Sequence, residues 1–264
     1  MESPKIDYIQ SKDNKTIKHI ISLQQRKYRQ KFGEYMVEGI RAVTDIGKKH
    51  FLRSILIRES KRSELEPLMQ KGFTVSSVYV VQDPIFDKIE HSVNGQGILG
   101  IAKKSVNDLQ SLIVEDGLYV ALDGVQDPGN LGTIIRTAVA AGAKGIFLLK
   151  GTVDPYNEKC VRSTMSALCN IPIFEDVTLS EFYDFIKDNT IKTYVTSLEN
   201  ARPYHTISYP KRTMIILGNE GNGVSREIIE MCDQAITIPM YGDIESLNVS
   251  IAAALCMYKV REQI

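Results

Sequence analysis

The chain has 264 residues, 32 basic and 32 acidic side chains, 43% hydrophobic and 24% charged residues, a balance that suits a globular protein of one large or two small domains. No apolar run approaches the ~20 residues of a membrane helix, and the opening Met1-Glu2-Ser3-Pro4-Lys5 lacks the apolar core of a signal peptide. Cys160, Cys169, Cys232 and Cys256 lie far apart with no Cys-x-x-Cys and no nearby histidine pair, so buried reduced thiols in a cytoplasmic protein are expected and a metal site or disulfide framework is not.

The neutral total hides an asymmetry. Residues 1–104 carry 19 Lys and Arg against 12 Asp and Glu, net +7, whereas residues 105–264 carry 13 against 20, net −7. A basic first half on a neutral protein points to a module that meets a polyanion; Lys and Arg solvating helix faces is the competing explanation.

Taken in chain order, residues 1–104 alternate short helices and strands. Lys15 to Arg29 reads as one amphipathic helix with Asn14 as N-cap and Ile17, Ile20, Ile21 and Leu23 on or near one side. Glu34–Glu38 is a strand candidate, followed by a helix over Ile40–Lys49. Leu52–Ile57 and Thr74–Val81, rich in Ile and Val, are further strands. Asp83-Pro84 opens a helix into Ile85–Glu90, because proline suits the first helical turn. Ile98–Ala102 closes a compact α/β module.

The polar stretch 105–117 makes a linker, and 118–264 is a longer alternation. Strands are expected over Leu118–Leu122, Gly145–Leu149, Ile171–Phe174, Thr193–Thr196, Thr213–Leu217 and Ala235–Ile238, with a last helix from Asn248 to Arg261. Several are apolar throughout instead of alternating, as in a parallel sheet covered on both faces.

Three polar turns follow apolar runs in this half. The first is Asp123-Gly-Val-Gln-Asp127-Pro-Gly-Asn130-Leu-Gly-Thr-Ile-Ile-Arg136. Strand, turn and helix in that order place a site at the carboxyl end of a strand, where open α/β sheets bind ligands. Asn130 is a candidate cap for the helix that carries the lone Arg136. The second turn, Gly218-Asn-Glu220-Gly-Asn-Gly223, lets the backbone turn sharply and approach a ligand closely. It matches neither a dinucleotide fingerprint nor a phosphate loop. The third runs from Ile238 through Met240, Tyr241 and Ser246 to Asn248, where Ser246 or Asn248 caps a helix with small first turns. Each turn alone has a bland explanation; three in one half suggest a composite site.

In order, Asp-Pro-Gly-Asn-x-Gly-x-x-x-Arg, Leu-Gly-Asn-Glu-Gly-x-Gly and Ile-Pro-Met-x-Gly-x-x-x-Ser-Leu-Asn-Val-Ser resemble the three motifs of the SpoU/TrmH family, S-adenosylmethionine-dependent RNA ribose 2'-O-methyltransferases. The resemblance covers about residues 118–264; the basic first half is similar to the ribosomal-protein-like substrate-binding domain of many members. It implies a parallel-sheet, Rossmann-like α/β domain ending in a deep trefoil knot, a known exception to the rule against knots, and a homodimer with the site near the subunit interface.

By that resemblance the donor, S-adenosylmethionine, is held by Thr196, Ser197, Leu198, Leu217, Gly218, Gly223, Ile238, Met240, Ser246 and Leu247. Arg136 acts on the ribose 2'-hydroxyl as a base or as a stabiliser of the alkoxide, with Asn130, Glu220, Ser246 and Asn248 holding the constellation. Lys15, Lys18, Arg26, Lys27, Arg29 and Lys31 are expected to contact RNA phosphates, and Tyr28 and Phe32 are candidates for stacking on unpaired bases, with core packing the competing role for Phe32. The expected substrate is 23S ribosomal RNA; transfer RNA, or RNA binding without catalysis, are the alternatives.

Overall fold

The computed structural model describes residues 4–92 and 95–264, so the first three residues of the polar opening lie outside the described residues. The chain divides into two compact units, one running up to Ser105 and taking in Tyr156–Cys169, the other Val106–Pro155 with Asn170–Ile264.

The first unit runs β1 (Lys5–Ile9), α1 (Lys15–Ser22), α2 (Arg26–Phe32), β2 (Glu34–Glu38), α3 (Ile40–Lys48), β3 (Leu52–Arg58), α4 (Leu65–Met69), β4 (Ser77–Val81), α5 (Asp83–Phe86) and β5 (Ile98–Lys103). Its mixed sheet has the order β1-β4-β3-β5-β2, parallel at β1/β4 and β3/β4 and antiparallel where β5 pairs with β2 and β3. Ile17 and Ile20 of α1 and Leu23 just after it pack with Leu56, Phe86, Leu99 and Ile101 in one core cluster. Pro84 sits in the first turn of α5, as its fixed φ allows.

The helix opened by Pro84 ends at Phe86, short of the expected Glu90, and the strand expected from Thr74 begins at Ser77; two larger differences follow. The helix expected over Lys15–Arg29 is two helices with a break at Leu23-Gln24-Gln25, none of which is a helix breaker. The cause is Arg29: its side chain is buried, 4% exposed, and Nη1 donates to the carbonyls of Leu23 at 2.8 Å and Gln24 at 2.7 Å. A tertiary anchor thus takes the carbonyls that would continue the helix. Arg29 is therefore a staple of the α1–α2 turn and not a surface contact for phosphate. The strand β1 is also absent from the sequence expectations. Its regularly spaced Ile6 and Tyr8 are the exposed pair, at 46% and 49%, and only Ile9 is in the core, so apolar alternation gives no sign of a buried face.

In the second unit β6 (Gly117–Leu122), α6 (Pro128–Ala140) and β7 (Gly145–Leu149) come first. The chain then contributes α7 (Glu158–Ser163) to the first unit, where the Tyr156 ring packs on Tyr35 with centroids 4.8 Å apart. It returns for β8 (Ile173–Val177), α8 (Leu179–Asp188), β9 (Lys192–Thr196), β10 (Arg202–Pro203), β11 (Arg212–Leu217), α9 (Arg226–Met231), β12 (Gln234–Thr237) and α10 (Val249–Arg261). The sheet order is β10-β12-β9-β11-β6-β7-β8, and all its pairings are parallel.

Strands β6 and β7 are buried along their whole length, which is why they read as continuous apolar runs. The core on one face centres on Phe147, whose ring meets Phe174 at 5.0 Å and Phe185 at 4.8 Å. The strand expected at Ile171–Phe174 is displaced: Pro172 cannot donate to a ladder, so β8 begins at Ile173 and runs through Glu175 and Asp176. Strand β12 stops at Thr237, short of the expected Ile238.

Candidate active site

Because the sheet is parallel, the carboxyl ends of β12, β9, β11 and β6 lie side by side. Ile236 pairs with Thr196, Val195 with Ile216, and Leu217 with Leu122. The turns that follow these strands carry the three motifs, and hydrogen bonds lace them together.

Glu220 is the hub. Its carboxylate accepts from the backbone N–H groups of Gln126 and Asp127, both at 3.1 Å, and from the Asn130 side-chain amide at 3.0 Å. Burial pushes this carboxyl up, but the donors from Asn130, Gln126 and Asp127 outweigh it and hold Glu220 below the usual glutamate range. Asn130 in turn accepts from Asn248 Nδ2 at 3.0 Å. Asn248 caps α10, its Oδ1 accepting from Ser250 N–H at 2.9 Å and Oγ–H at 2.6 Å. One polar chain therefore runs from motif two through motif one to motif three.

The local backbone explains how these groups are aimed. Asp127, not Asn130, caps α6: its side chain accepts from Asn130 N–H at 2.9 Å, with Pro128 in the first turn. This corrects the expectation for Asn130, whose side chain is thereby free to bridge Glu220 and Asn248. In motif two, Asn219 and Gly223 exchange backbone hydrogen bonds at 2.9 and 3.0 Å. Asn219 Oδ1 also accepts from the N–H groups of Gly221 and Asn222, while its Nδ2 donates to Gly124 O at 2.8 Å. Gly218 lies under this closed loop, where a Cβ would fall 2.1 Å from the Gly223 carbonyl carbon. Asp123 Oδ2 fixes the next turn by accepting from Ser225 N–H at 2.7 Å.

Asp123, Asp127 and Asn219 were not singled out in the sequence. For Asp127 the signal was available, since Asp before Pro at the head of an apolar helix is a cap pattern. Asn219 also closes its own loop locally, but its bond to Gly124, 95 positions away, leaves no trace in the local sequence.

The remaining site residues are placed differently. Arg136 is exposed on α6, and among the described residues no hydrogen bond or ion pair holds its guanidinium. Ser246 is likewise exposed and outside the chain of hydrogen bonds. Of the residues expected at the donor, Leu217 and Gly218 are buried, Thr196, Ser197, Ile238, Met240 and Leu247 are half-buried, and Leu198 and Gly223 are exposed. Thr196 Oγ1 donates to Ile216 O at 3.3 Å and Ser197 N–H to Ile236 O at 3.0 Å.

The cysteines take no part. Burial raises the Cys232 and Cys256 thiols to about 12, so neither is a thiolate at neutral pH. All four are free, and Cys169 and Cys232 are half-buried instead of fully buried as expected. Among the described residues no cluster of His, Cys, Asp or Glu could hold a metal ion, and no helix is long and apolar enough to cross a membrane.

In the first unit, Lys15, Lys18, Lys27 and Lys31 are exposed and Arg26 is half-buried. Lys18 pairs with Asp13 at 3.0 Å, Lys27 lies over the Tyr28 ring and Lys31 over Phe32.

The profile of the SpoU rRNA Methylase family matches residues 117–258, which hold all of these motif residues. The chain belongs to this family and is a methyltransferase. Residues 14–100 match the MRM3-like substrate binding domain. The chain is 33% identical over 256 residues to the 23S rRNA (guanosine(2553)-2'-O)-methyltransferase RlmP of Bacillus subtilis, covering 96% of this chain and 98% of that one. Its fold matches the AdoMet-bound rRNA methyltransferase of Sinorhizobium meliloti with a TM-score of 0.86 at 30% identity, over 97% and 98% of the two chains. The SpoU methyltransferase AviRb of Streptomyces viridochromogenes matches with a TM-score of 0.83 at 25% identity, over 95% and 97%.

Proposed function

We propose that this protein methylates a ribose 2'-hydroxyl of RNA with S-adenosylmethionine as donor, and that 23S ribosomal RNA is its substrate. The observation that carries the reading is the hydrogen-bonded chain Glu220–Asn130–Asn248, which joins all three motifs at the carboxyl edge of a parallel sheet. Support for the substrate comes from the RlmP relative, which matches over nearly its whole length.

The rim fits such a donor. Leu198 and Ile244, on the loops after β9 and β12, stand 78% and 59% exposed, apolar surface that an adenine ring would cover. The Gly218–Gly223 loop is held closed by its own hydrogen bonds, with Gly218 packed against the Gly223 backbone, so the wall it offers the donor is preformed. Thr196, Ser197, Leu217, Ile238, Met240, Ser246 and Leu247 complete the proposed binding set. When bound, the donor supplies an electrophilic methyl on a sulfonium, so the carbon–sulfur bond breaks as the new oxygen–carbon bond forms.

The protein's task is to make a weak nucleophile competent. Arginine keeps its proton at neutral pH, so Arg136 is assigned to the negative charge that develops on the ribose 2'-oxygen, with the proton leaving to a substrate phosphate. Asn130 and Asn248 position the ribose and Glu220 fixes Asn130, while Ser246, outside this chain of hydrogen bonds, is assigned to the constellation by its place in motif three. The free, exposed guanidinium of Arg136 is consistent with a group that meets its partner only when RNA arrives.

A homodimer belongs to the same reading. Ile251, Leu255 and Tyr258 form one exposed stripe on α10, at 51%, 38% and 48%, the spacing of a helix face that packs on a second copy. The deep knot of the C-terminal segment and residence in the cytoplasm are parts of the proposal too. Its test is incubation with methyl-labelled S-adenosylmethionine and unmodified ribosomal and transfer RNA transcripts, followed by digestion to nucleosides. A labelled 2'-O-methylnucleoside from ribosomal RNA is expected; label in transfer RNA alone would move the substrate, and bound donor without label would leave only RNA binding.

A further inference from the structure

The first unit contains a groove of about 390 Å³ beside α1 that the methyl-transfer site does not use. Its floor is the polar end of the sheet face, with Ser54 and Ser77 flanked by Tyr79 and by the apolar Ile101. Phe32, from the end of α2, forms a wall. It is 40% exposed, with its ring stacked near Tyr28 at 6.2 Å and 12°, and in edge contact with His19 at 4.6 Å. Lys31 Nζ lies over the same ring at 5.5 Å, a flexible side chain that an incoming base displaces.

The electrostatics at the rim point to an anion. Glu34 is buried, 4% exposed, and would repel one. Its carboxylate is instead occupied on both oxygens, by His19 Nε2 at 2.6 Å and by Arg53. Arg53 commits one nitrogen there and, half-exposed, retains other donors of its fork. Lys15, which also lines the groove, is exposed. The result is a hydroxyl-lined floor that both donates and accepts, an aromatic wall, one uncompensated cation in Lys15, and the spare donors of Arg53, whose charge Glu34 balances.

We infer that this groove binds a single unstacked RNA base, with Phe32 against its face, Ser54, Ser77 and Tyr79 at its edge, and Lys15 and Arg53 on the adjoining phosphate. Unpaired bases are read in this way, by stacking on aromatics and hydrogen bonding at their edges. The volume lies near the lower end of the ~300–1,000 Å³ typical of ligand sites, which suits one nucleotide inside it. The inference rests on the proposed RNA substrate and adds where, outside the methyl-transfer site, that RNA is held.

The test uses the full-length protein and a short RNA hairpin whose unpaired loop carries one iodouridine. Photocrosslinks are expected at Phe32 or Tyr79. Phe32→Ala should weaken hairpin binding about tenfold or more, Phe32→Tyr should restore it, and Ser77→Tyr, which fills the floor, should weaken it as well. S-adenosylmethionine binding should stay unchanged in all three, and the loss should appear as a raised KM for ribosomal RNA. Crosslinks confined to other peptides, or unaltered affinity in both Phe32→Ala and Ser77→Tyr, would overturn the inference. So would nucleoside monophosphates binding as tightly as the hairpin, since the site would then be one for free nucleotides. Wild-type protein that crosslinks at the groove but transfers no methyl group to any RNA would fail the enzymatic reading alone.

Discussion

Asn248 donates to Asn130 while its own oxygen is pinned by Ser250, and this fixes the orientation of two amides in sequence. With Oδ1 of Asn248 held by two donors, its Nδ2 must face Asn130. Asn130 therefore turns its oxygen to Asn248 and its Nδ2 to the Glu220 carboxylate. A change at one end should reorient the other.

Asp at position 248 separates capping from orientation. Asn and Asp cap helices about equally well, so Asn248→Asp should leave the melting temperature close to wild type. It would nevertheless set an oxygen against Asn130 Oδ1, flip that amide, and put Asn130 Oδ1 against Glu220. Transfer should fall by an order of magnitude or more. Asn248→Ala should lose the cap as well, about 1 kcal/mol, and melt lower. Thermal unfolding beside a labelled-methyl assay tests both; an active Asn248→Asp variant would show that amide orientation is immaterial.

For Arg136 the expectation is the reverse pattern. It is exposed and unpaired among the described residues, so Arg136→Ala should change stability by less than about 0.5 kcal/mol and leave donor affinity intact. Loss of a group that stabilises transition-state charge typically costs about 100- to 1,000-fold in rate. Calorimetric titration with S-adenosylmethionine and single-turnover transfer measure the two halves; retained turnover removes Arg136 from the mechanism.

Gly218 tests the close approach of the motif-two loop. A methyl group there would overlap the Gly223 carbonyl carbon at 2.1 Å and the Val224 nitrogen at 2.3 Å. Both are backbone atoms and cannot rotate away. Gly218→Ala should cost about 3 kcal/mol or more, in the upper range for overpacking, and abolish donor binding. Gly221→Ala is the control, because its new methyl would meet nothing nearer than Asn219 Oδ1 at 3.6 Å. Urea denaturation with donor titration of both variants distinguishes steric closure from a general intolerance of the loop.

The strands of the second unit were legible because burial on both faces writes an unbroken apolar run, as in Gly145–Leu149. That the three motifs come together was legible, since Asn130, Glu220 and Asn248 do converge. The wiring was not. Whether Asn130 caps its helix or bridges two loops is decided by Asp127 and by Glu220, 90 positions away. The break between α1 and α2 was hidden for the same reason, since good helix formers occupy Leu23, Gln24 and Gln25 while the buried Arg29 captures two of their carbonyls. Local propensity records neither contact.

Glu220 gives the site a defined response to acid. Its folded carboxyl lies below the ordinary value of about 4.3, because its donors favour the charged form. A carboxylate depressed on folding contributes stability that is fully present above the unfolded pKa and lost as pH falls through the folded one. The difference in melting temperature between wild type and Glu220→Gln should therefore be constant near neutral pH and shrink only in acid below about 4.3. At neutral pH Gln, which faces two backbone N–H groups with one oxygen, should be less stable by about 1 kcal/mol, kept low because the side chain is exposed. A gap that varies between neutral and mildly acidic pH would mean another group controls the loop.

Arg29 and Lys27 lie two residues apart on α2 and should behave as opposites in RNA binding. Lys27 is exposed, so Lys27→Ala should leave stability unchanged and reduce the slope of log affinity against log salt by about 0.7 to 0.9 if it meets a phosphate. Arg29 is buried against the Leu23 and Gln24 carbonyls. Arg29→Ala leaves those carbonyls without their partner and should destabilise by about 2–4 kcal/mol, as for a buried charged hydrogen-bonding group. Its salt slope, measured well below the melting transition, should match wild type. A reduced slope for Arg29→Ala would return that arginine to the RNA-binding surface and make the α1–α2 turn mobile enough to release it.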